Sequence, residues 1–403
     1  MIYKRTLCFL LIIAMMLSVA CTKTYDNGGT SSNIDDEDSI TVESGTSSDE
    51  TSEDMSMSME SSEDELSAEL SAEESMEESM EESSYSFEPS EEISEEVSKE
   101  ISSDDVSQDS EPNLEDSFVI YAPDIEYGLE WESDGLELYN TEFRMSEALA
   151  EKFKNQINSF ANAQSIMLIE LDTNMAFAYS KDTKIATASS IKGPVGLYVN
   201  KCIDAGLITW DTYKTYQPRH FQEHSTGQVQ NFSYGTAFSV ETLMDYMIRI
   251  SDNQAYLMLK ELVGAKNFNY MMETLGCSQI IPDGSNWGYI TAEEMASAWR
   301  EIYYYSLTCE SGAGLFDRYM HAAYNYIWRS IPQYEAAHKS GWSGKAFNDA
   351  GVVFADGHEY VLVVLCGRSG VDDPRSQIQF TAITKLLAEL MVEYNAYKVE
   401  MGL

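Results

Sequence analysis

Apolar residues recur at helical intervals in two segments of the chain. The first segment is "SEALAEKFKNQINSFAN", residues 146–162, in which Ser146 is suited to cap the start of a helix. The residues on its apolar face are Leu149, Phe153, Ile157 and Phe160. The second segment, "SQIQFTAITKLLAELMVEYNAYKV" at 376–399, has apolar residues three and four positions apart. Both patterns predict amphipathic helices.

Apolar segments typical of buried strands lie between these two helices. The stretches "SIMLIELD" and "MAFAYS" predict an antiparallel hairpin that turns near Thr173 and Asn174. A second hairpin is predicted in "DAGVVFADGHEYVLVVLCG", with Asp356-Gly357 as its two-residue turn. The region from about Lys192 to Trp328 has mostly helical patterns. The order of elements predicts an α+β fold, in which terminal helices flank an antiparallel sheet and an all-helical subdomain is inserted.

The first 20 residues have the pattern of an export signal. Lys4 and Arg5 precede an apolar run from Leu7 to Leu17, which is too short to span a bilayer comfortably. The following "LSVAC" resembles a bacterial lipobox, in which Cys21 becomes the lipidated N-terminus. Ordinary cleavage after Ala20 is the alternative. Both readings predict a protein outside the cytoplasm, and the first predicts attachment to the cell membrane through a lipid anchor.

Residues 21–116 have the composition of an acidic, Ser/Glu-rich disordered tether. The chain has 403 residues and a net charge of −43, and 33 of its 68 acidic residues but only 4 of its 25 basic residues precede residue 117. Such a segment repels itself and has little apolar surface to bury. A nucleic acid is therefore not an expected partner. The folded part is predicted to be one domain at 117–403.

The folded part contains four cysteines, and their spacing matches neither a zinc knuckle nor a redox Cys-x-x-Cys motif. They are Cys202, Cys277, Cys309 and Cys366. An exported domain permits disulfides, but four cysteines allow three pairings, and free buried thiols are an equal alternative. His220 and His224 have the spacing of zinc ligands without the glutamate of a His-Glu-x-x-His motif. No metal or organic cofactor is expected.

The stretch "ATASSIKGPVGLYV" contains a candidate nucleophile and base. Ser189 precedes Lys192 by three residues at the predicted start of a helix, so the amine and the hydroxyl lie on one face. Taken alone, this spacing is equally met by a helix-capping Ser189 or Ser190 followed by a solvated lysine. Two further motifs follow it along the chain: Ser251-Asp252-Asn253, and then Lys339-Ser340-Gly341.

These three motifs, in this order, resemble the signature of class A β-lactamases and penicillin-binding proteins. The resemblance extends over about 165–392 and implies the three-layer β-lactamase-like fold. It implies that Ser189 is the nucleophile, Lys192 its base or proton relay, and Ser251 the donor to the leaving nitrogen. Asn253 would bind a substrate amide, and Lys339 and Ser340 its carboxylate. The backbone N–H groups of Ser189 and Trp342, the residue after Gly341, would form the oxyanion hole.

One part of the family pattern is missing. Class A enzymes have Glu-x-x-Leu-Asn in the loop whose glutamate activates the deacylating water, whereas this loop reads "GCSQIIPDGSNWGYIT". Its only carboxylate, Asp283, has the setting of a turn residue, and Glu293 and Glu294 fall in the first turn of a predicted helix. We expect an exported serine hydrolase that is acylated by β-lactams or D-Ala-D-Ala-type amides and deacylates poorly. The alternative is a catalytically idle domain that binds cell-wall peptides or a protein partner.

Overall fold

The computed structural model describes residues 118–223, 225, 227–371 and 373–403. The predicted export signal, Cys21 and the acidic segment lie outside these residues, as does His224. Within the described part, the expected α+β architecture is confirmed: an eight-stranded antiparallel sheet lies between a layer of terminal helices and a helical subdomain. No helix among the described residues combines the length and the apolar character needed to cross a membrane.

The strands of the large sheet are β1 Leu129–Ser133, β2 Leu136–Tyr139, β3 Gln164–Glu170, β4 Ala176–Tyr179, β9 Glu335–His338, β10 Gly341–Ser343, β11 Ala346–Ala355 and β12 His358–Gly367. They lie in the order β1-β2-β4-β3-β12-β11-β10, and β9 also pairs with β11. Two small two-stranded sheets are formed by β5 Ile185–Ala186 with β8 Tyr289–Ile290, and by β6 Tyr213–Thr215 with β7 Ala237–Ser239.

Nine α-helices are found in the described residues. They are α1 Glu147–Asn158, α2 Lys192–Asp204, α3 Val240–Arg249, α4 Asn253–Val263, α5 Ala265–Thr274, α6 Ala292–Thr308, α7 Glu310–Met320, α8 Tyr326–Ser330 and α9 Arg375–Met401. Ser146 caps α1 as predicted, because its hydroxyl accepts the Leu149 N–H. This helix ends at Asn158, so Phe160 lies beyond it. The predicted terminal helix is α9.

The sheet separates two apolar cores, because successive strand residues face opposite sides. In β3, Ile166 and Leu168 join the core beneath α1 and α9, whereas Met167 and Ile169 join the core beneath the helical subdomain. Both predicted hairpins are present. Asp356 and its neighbouring glycine have positive φ angles of 54° and 87°, as a tight two-residue turn between β11 and β12 requires.

A segment that precedes β1, residues 118–123, is held against the helical subdomain by a buried ion pair. Lys201 Nζ of α2 lies 2.7 Å from Glu301 Oε1 of α6, and both side chains are almost fully buried. Glu301 also accepts the backbone N–H groups of Tyr121 and Ala122, and Lys201 donates to the Val119 carbonyl. These bonds fix the segment to the two helices at the centre of the subdomain.

The four cysteines of the described domain carry free thiols. Cys202, Cys277 and Cys366 are buried, and burial raises the pKa of each thiol. Of the two alternatives, disulfides or free thiols, the structure supports free thiols.

Candidate active site

Ser189 lies in a short 3-10 turn, Ala188–Ile191, directly before α2. Two contacts hold this turn from outside. The Thr187 N–H donates to the Gly288 carbonyl at 3.0 Å, and the buried Asn348 amide of β11 donates to the Ala186 carbonyl at 2.9 Å. Ala188 has a positive φ of 44°, a conformation that non-glycine residues adopt only under constraint. Ser189 is the residue of this turn that remains partly exposed.

Lys192 is fully buried and directed toward Ser189. Its Nζ lies 3.1 Å from Ser189 Oγ, 3.2 Å from Ser251 Oγ and 2.6 Å from Asn253 Oδ1. Burial lowers the pKa of Lys192 well below its usual value, and the positive charge of Lys339 lowers it further. The alternative of a solvated surface lysine is therefore wrong. Neither Ser189 nor Ser190 caps the helix, since the Ser190 hydroxyl donates to the Thr187 carbonyl.

Ser251 links the two lysines of the site. Its hydroxyl oxygen lies 3.2 Å from Lys192 Nζ and 3.1 Å from Lys339 Nζ, and its φ of 58° turns the backbone sharply before α4. The next residue, Asp252, caps α4 through the Ala255 N–H and accepts the N–H groups of Gln228 and Val229. The Ser-Asp-Asn loop is thereby tied both to its own helix and to the preceding loop.

Lys339 and Ser340 form the corner between β9 and β10, and both are buried. Burial lowers the pKa of Lys339 to about 8, against the opposing effect of Asp349. Gly341 begins β10 and faces the turn that carries the serine. A Cβ atom on it would lie 2.2 Å from the Ser190 nitrogen and 2.5 Å from the Ser189 nitrogen. Only glycine permits this approach. Trp342 follows with 47% of its surface exposed.

The structure thus brings together all the candidate catalytic and substrate-binding residues of the three motifs. The carboxylates near the missing glutamate motif are elsewhere. Asp283 is exposed in a turn, Glu293 Oε2 lies 2.7 Å from Lys181 Nζ, and Glu294 forms a capping box with Thr291 at the start of α6. Among the described residues, none of these three carboxylates forms a hydrogen bond or an ion pair with Ser189, Lys192 or Ser251.

Trp287 is a site residue that sequence reasoning did not find. Its ring centre lies 5.7 Å from Lys192 Nζ and 4.8 Å from the Tyr256 ring, with which it stacks. The loop around it is fixed because Tyr256 donates to the Asn286 carbonyl and two hydrogen bonds join Gly288 to Thr187. The Thr187 N–H donates to the Gly288 carbonyl, and the Gly288 N–H donates to the Thr187 hydroxyl oxygen. The sequence signal that could have revealed Trp287 is a lone aromatic residue between polar turn residues and a glycine. Asn348 was also missed, although a polar Asn-Asp pair inside an apolar strand marks it.

Two clusters away from the serine contain groups that bind metals in other proteins. His220 Nε2 lies 2.8 Å from Glu261, whose carboxylate also pairs with Lys214 and Arg219, so the histidine belongs to an ion-pair cluster. Glu170, Asp172 and His358 have ligand-type atoms within 4.8 Å of one another. Lys398 Nζ already lies 2.9 Å from Glu170, so a cation there would compete with an ammonium group.

Comparisons with known proteins agree with this geometry. A model of the beta-lactamase enzyme family matches residues 148–391. The solved structure of PBP-A superposes with a TM-score of 0.57 at 20% identity, covering 61% of this chain and 97% of that one. A beta-lactamase from Chitinophaga pinensis superposes with a TM-score of 0.55 at 16% identity, covering 61% of this chain and 100% of that one. An ancestral class A beta-lactamase superposes with a TM-score of 0.53 at 20% identity, covering 60% of this chain and 99% of that one. No curated protein sequence matches the chain.

At these identities the solved structures establish the fold. The match to the family model places the chain in the β-lactamase-like serine hydrolase superfamily, and the buried lysine beside a partly exposed serine agrees with this. The family match extends over more than half of the chain. The protein belongs to the beta-lactamase enzyme family.

Proposed function

We propose that the protein is an acyl-serine enzyme whose nucleophile, Ser189, attacks the carbonyl of a β-lactam or a D-Ala-D-Ala-type amide. The observation that carries this proposal is the position of Lys192. Its amine is fully buried, has a lowered pKa and lies 3.1 Å from Ser189 Oγ. A neutral amine at that distance accepts the hydroxyl proton as the Oγ–carbonyl bond forms.

The other site residues supply the remaining parts of acyl transfer. The backbone N–H groups of Ser189 and Trp342 would bind the oxyanion, since Gly341 brings β10 against the serine turn. As the C–N bond breaks, Ser251 would pass a proton to the leaving nitrogen, replenished from Lys192. The Lys339 ammonium and the Ser340 hydroxyl would bind the substrate carboxylate. The product is an ester on Ser189.

Deacylation is proposed to be slow. Hydrolysis of the ester needs a water molecule and a base that activates it. The loop that carries the base in class A enzymes presents the Trp287 indole to Lys192 here, and its carboxylate Asp283 is exposed. The protein would then act as a penicillin-binding protein or a slow hydrolase rather than as an efficient lactamase. A variant of PBP-A, a structural neighbour, has been solved as an acyl-enzyme complex with penicillin G.

The proposed substrates agree with the proposed location. The signal-like residues 1–20 and Cys21 support a lipid-anchored protein on the outer face of the cell membrane, and the acidic residues 21–116 support a spacer. Peptidoglycan stem peptides, which end in D-Ala-D-Ala, are present on that face of the cell. A radiolabelled-lipid incorporation assay on the wild-type chain and Cys21→Ala tests the anchor, because only the wild type would incorporate label.

The central experiment is acylation by a fluorescent penicillin, followed by gel fluorescence and intact mass. The wild-type protein is expected to gain one penicilloyl adduct, Ser189→Ala none, and Ser343→Ala, which alters a nearby serine on β10, the same adduct as the wild type. Parallel incubation with a D-Ala-D-Ala peptide measures release of D-alanine. A folded wild-type protein that forms no adduct and releases no D-alanine would instead support the idle, peptide-binding alternative.

A further inference from the structure

A buried histidine–aspartate pair lies directly behind the Lys339 corner. His338 is the last residue of β9, and its Nδ1 lies 2.9 Å and 3.1 Å from the two carboxylate oxygens of Asp349 on β11. Both side chains are fully buried. The other ring nitrogen, Nε2, lies 3.1 Å from the backbone carbonyl oxygen of Ala322, which follows α7. The imidazole therefore connects the sheet to the helical subdomain.

The hydrogen bonds define the protonation of this pair. A carbonyl oxygen only accepts, and so does an ionised carboxylate, whereas a neutral imidazole has a single N–H. Both ring nitrogens of His338 donate only if the ring is an imidazolium. Asp349 also accepts the backbone N–H groups of Tyr326, Ile327 and Ala350, at 3.0, 3.2 and 3.0 Å. An ionised carboxylate has enough acceptor sites for all of these donors.

This pair adjoins, along the chain, the lysine proposed to bind the substrate carboxylate. Lys339 follows His338 in sequence, and its backbone N–H donates to the Ala350 carbonyl at 2.9 Å, so the corner is anchored beside Asp349. The charged groups that act on this part of the site are Lys192, across the Ser251 hydroxyl, Asp252, which acts on Lys192, and Asp349. An uncancelled Asp349 charge would hold Lys339 more firmly in its cationic form.

We propose that His338 and Asp349 form a buried imidazolium–carboxylate ion pair that positions the Lys339 corner and reduces the effect of the Asp349 charge on the Lys339 ammonium group. His338 is a positioning residue, because it acts through Lys339 and not on the substrate. The consequence for catalysis rests on the proposed acylation of Ser189. The ion pair and its effect on Lys339 do not, and both are measurable in the resting protein.

The first experiment titrates the Lys339 side chain by NMR in the full chain labelled at lysine Cε. We expect His338→Gln to raise the titration midpoint of Lys339 by about 1 pH unit, since the neutral amide leaves Asp349 uncancelled. His358→Gln, the same change at the far end of the β11–β12 hairpin, should leave it unmoved. An unchanged Lys339 midpoint in folded His338→Gln would overturn the proposed charge effect.

The second experiment observes the imidazole itself in the wild-type chain and needs no variant at the pair. With ¹⁵N-labelled histidine, both ring nitrogens of His338 are expected to carry a proton at pH 7. Its signals are assigned by replacing each of the other four of the five histidines in turn. A single protonated nitrogen would refute the ion pair. If the wild-type protein is not acylated by penicillin but both NMR results are as expected, only the proposed function is refuted, and the ion pair stands.

Discussion

The Trp287 indole and the Lys192 amine are neighbours: the ring centre lies 5.7 Å from Nζ, on a loop whose backbone is bonded to the serine turn. The Tyr256 ring stacks on the Trp287 ring at an interplanar angle of 21°. An indole ring in this position offers no group that accepts a proton. Trp287 therefore cannot replace the base that this loop provides in class A enzymes.

Replacing the indole by a carboxylate should accelerate the proposed slow deacylation. We expect Trp287→Glu to shorten the lifetime of the penicilloyl-enzyme by about 10²-fold, the size of a typical general-base contribution. Trp287→Gln opens the same space without a base, so the ratio of the two rates isolates the carboxylate. Adduct decay is followed by intact mass after free penicillin is removed. Equal rates in the two variants would argue against a missing base as the cause of slow turnover.

The rate of acylation should depend on pH through both lysines. Lys192 acts as a base only when neutral, so the acylation rate should rise with pH as Lys192 loses its proton. Because the pKa of Lys192 is lowered, this rise should occur below the usual pH range of lysine. Lys339 binds the carboxylate only when charged, so the rate should fall again through its pKa of about 8. The second-order rate constant for a fluorescent penicillin, measured between pH 5 and pH 10, checks this bell shape. A rate that keeps rising above pH 9 would contradict the role given to Lys339.

The local patterns predicted the main elements because those elements are long and their burial is regular. Every residue of β3 is buried, and α1 begins after its cap at Ser146 with buried residues at helical spacing. The β1–β2 hairpin had no comparable pattern. Its strands have five and four residues, and β2 is stabilised by pairing with β4, about 40 residues later. Such a contact is absent from any local window of sequence.

The same limit applies to the site. The three motifs predicted which side chains would meet, and their order was informative because each motif marks a fixed place in one fold. Trp287 and Asn348 act through tertiary contacts and belong to no short motif. His338 and Asp349 meet only because β9 and β11 pair in register, with His338 opposite Gly351.

Gly341 offers a direct test of how closely β10 must approach the serine. We expect Gly341→Ala to reduce acylation by about 10²-fold, because the added methyl group would overlap the Ser189 and Ser190 backbone and displace the oxyanion donors. Gly344→Ala is the matched control on the same hairpin, since its nearest neighbour would be a Val371 methyl group at 3.5 Å. Similar losses in both variants would mean that the hairpin tolerates no side chain for reasons unrelated to the serine.

The buried ion pair beneath residues 118–123 should matter more for stability than an exposed one. We expect Glu301→Ala to lower the free energy of unfolding by about 3–5 kcal/mol, because it leaves Lys201 buried without its partner. Glu389→Ala, which breaks the exposed pair with Lys152, should cost less than about 1 kcal/mol. Denaturant unfolding followed by fluorescence compares the two. Equal costs would show that the buried pair contributes no more to the stability of the domain than the exposed one.

The four unpaired thiols bear on the surroundings in which the domain keeps its shape. Since Cys202, Cys277 and Cys366 are buried and hard to deprotonate, and no covalent cross-link joins the described residues, neither an oxidant nor a reductant is needed to complete the fold. The packing of the two cores against the sheet supplies the rigidity that small exported domains often obtain from disulfides. The folded state of the described domain is thus expected to be insensitive to thiol-reducing agents.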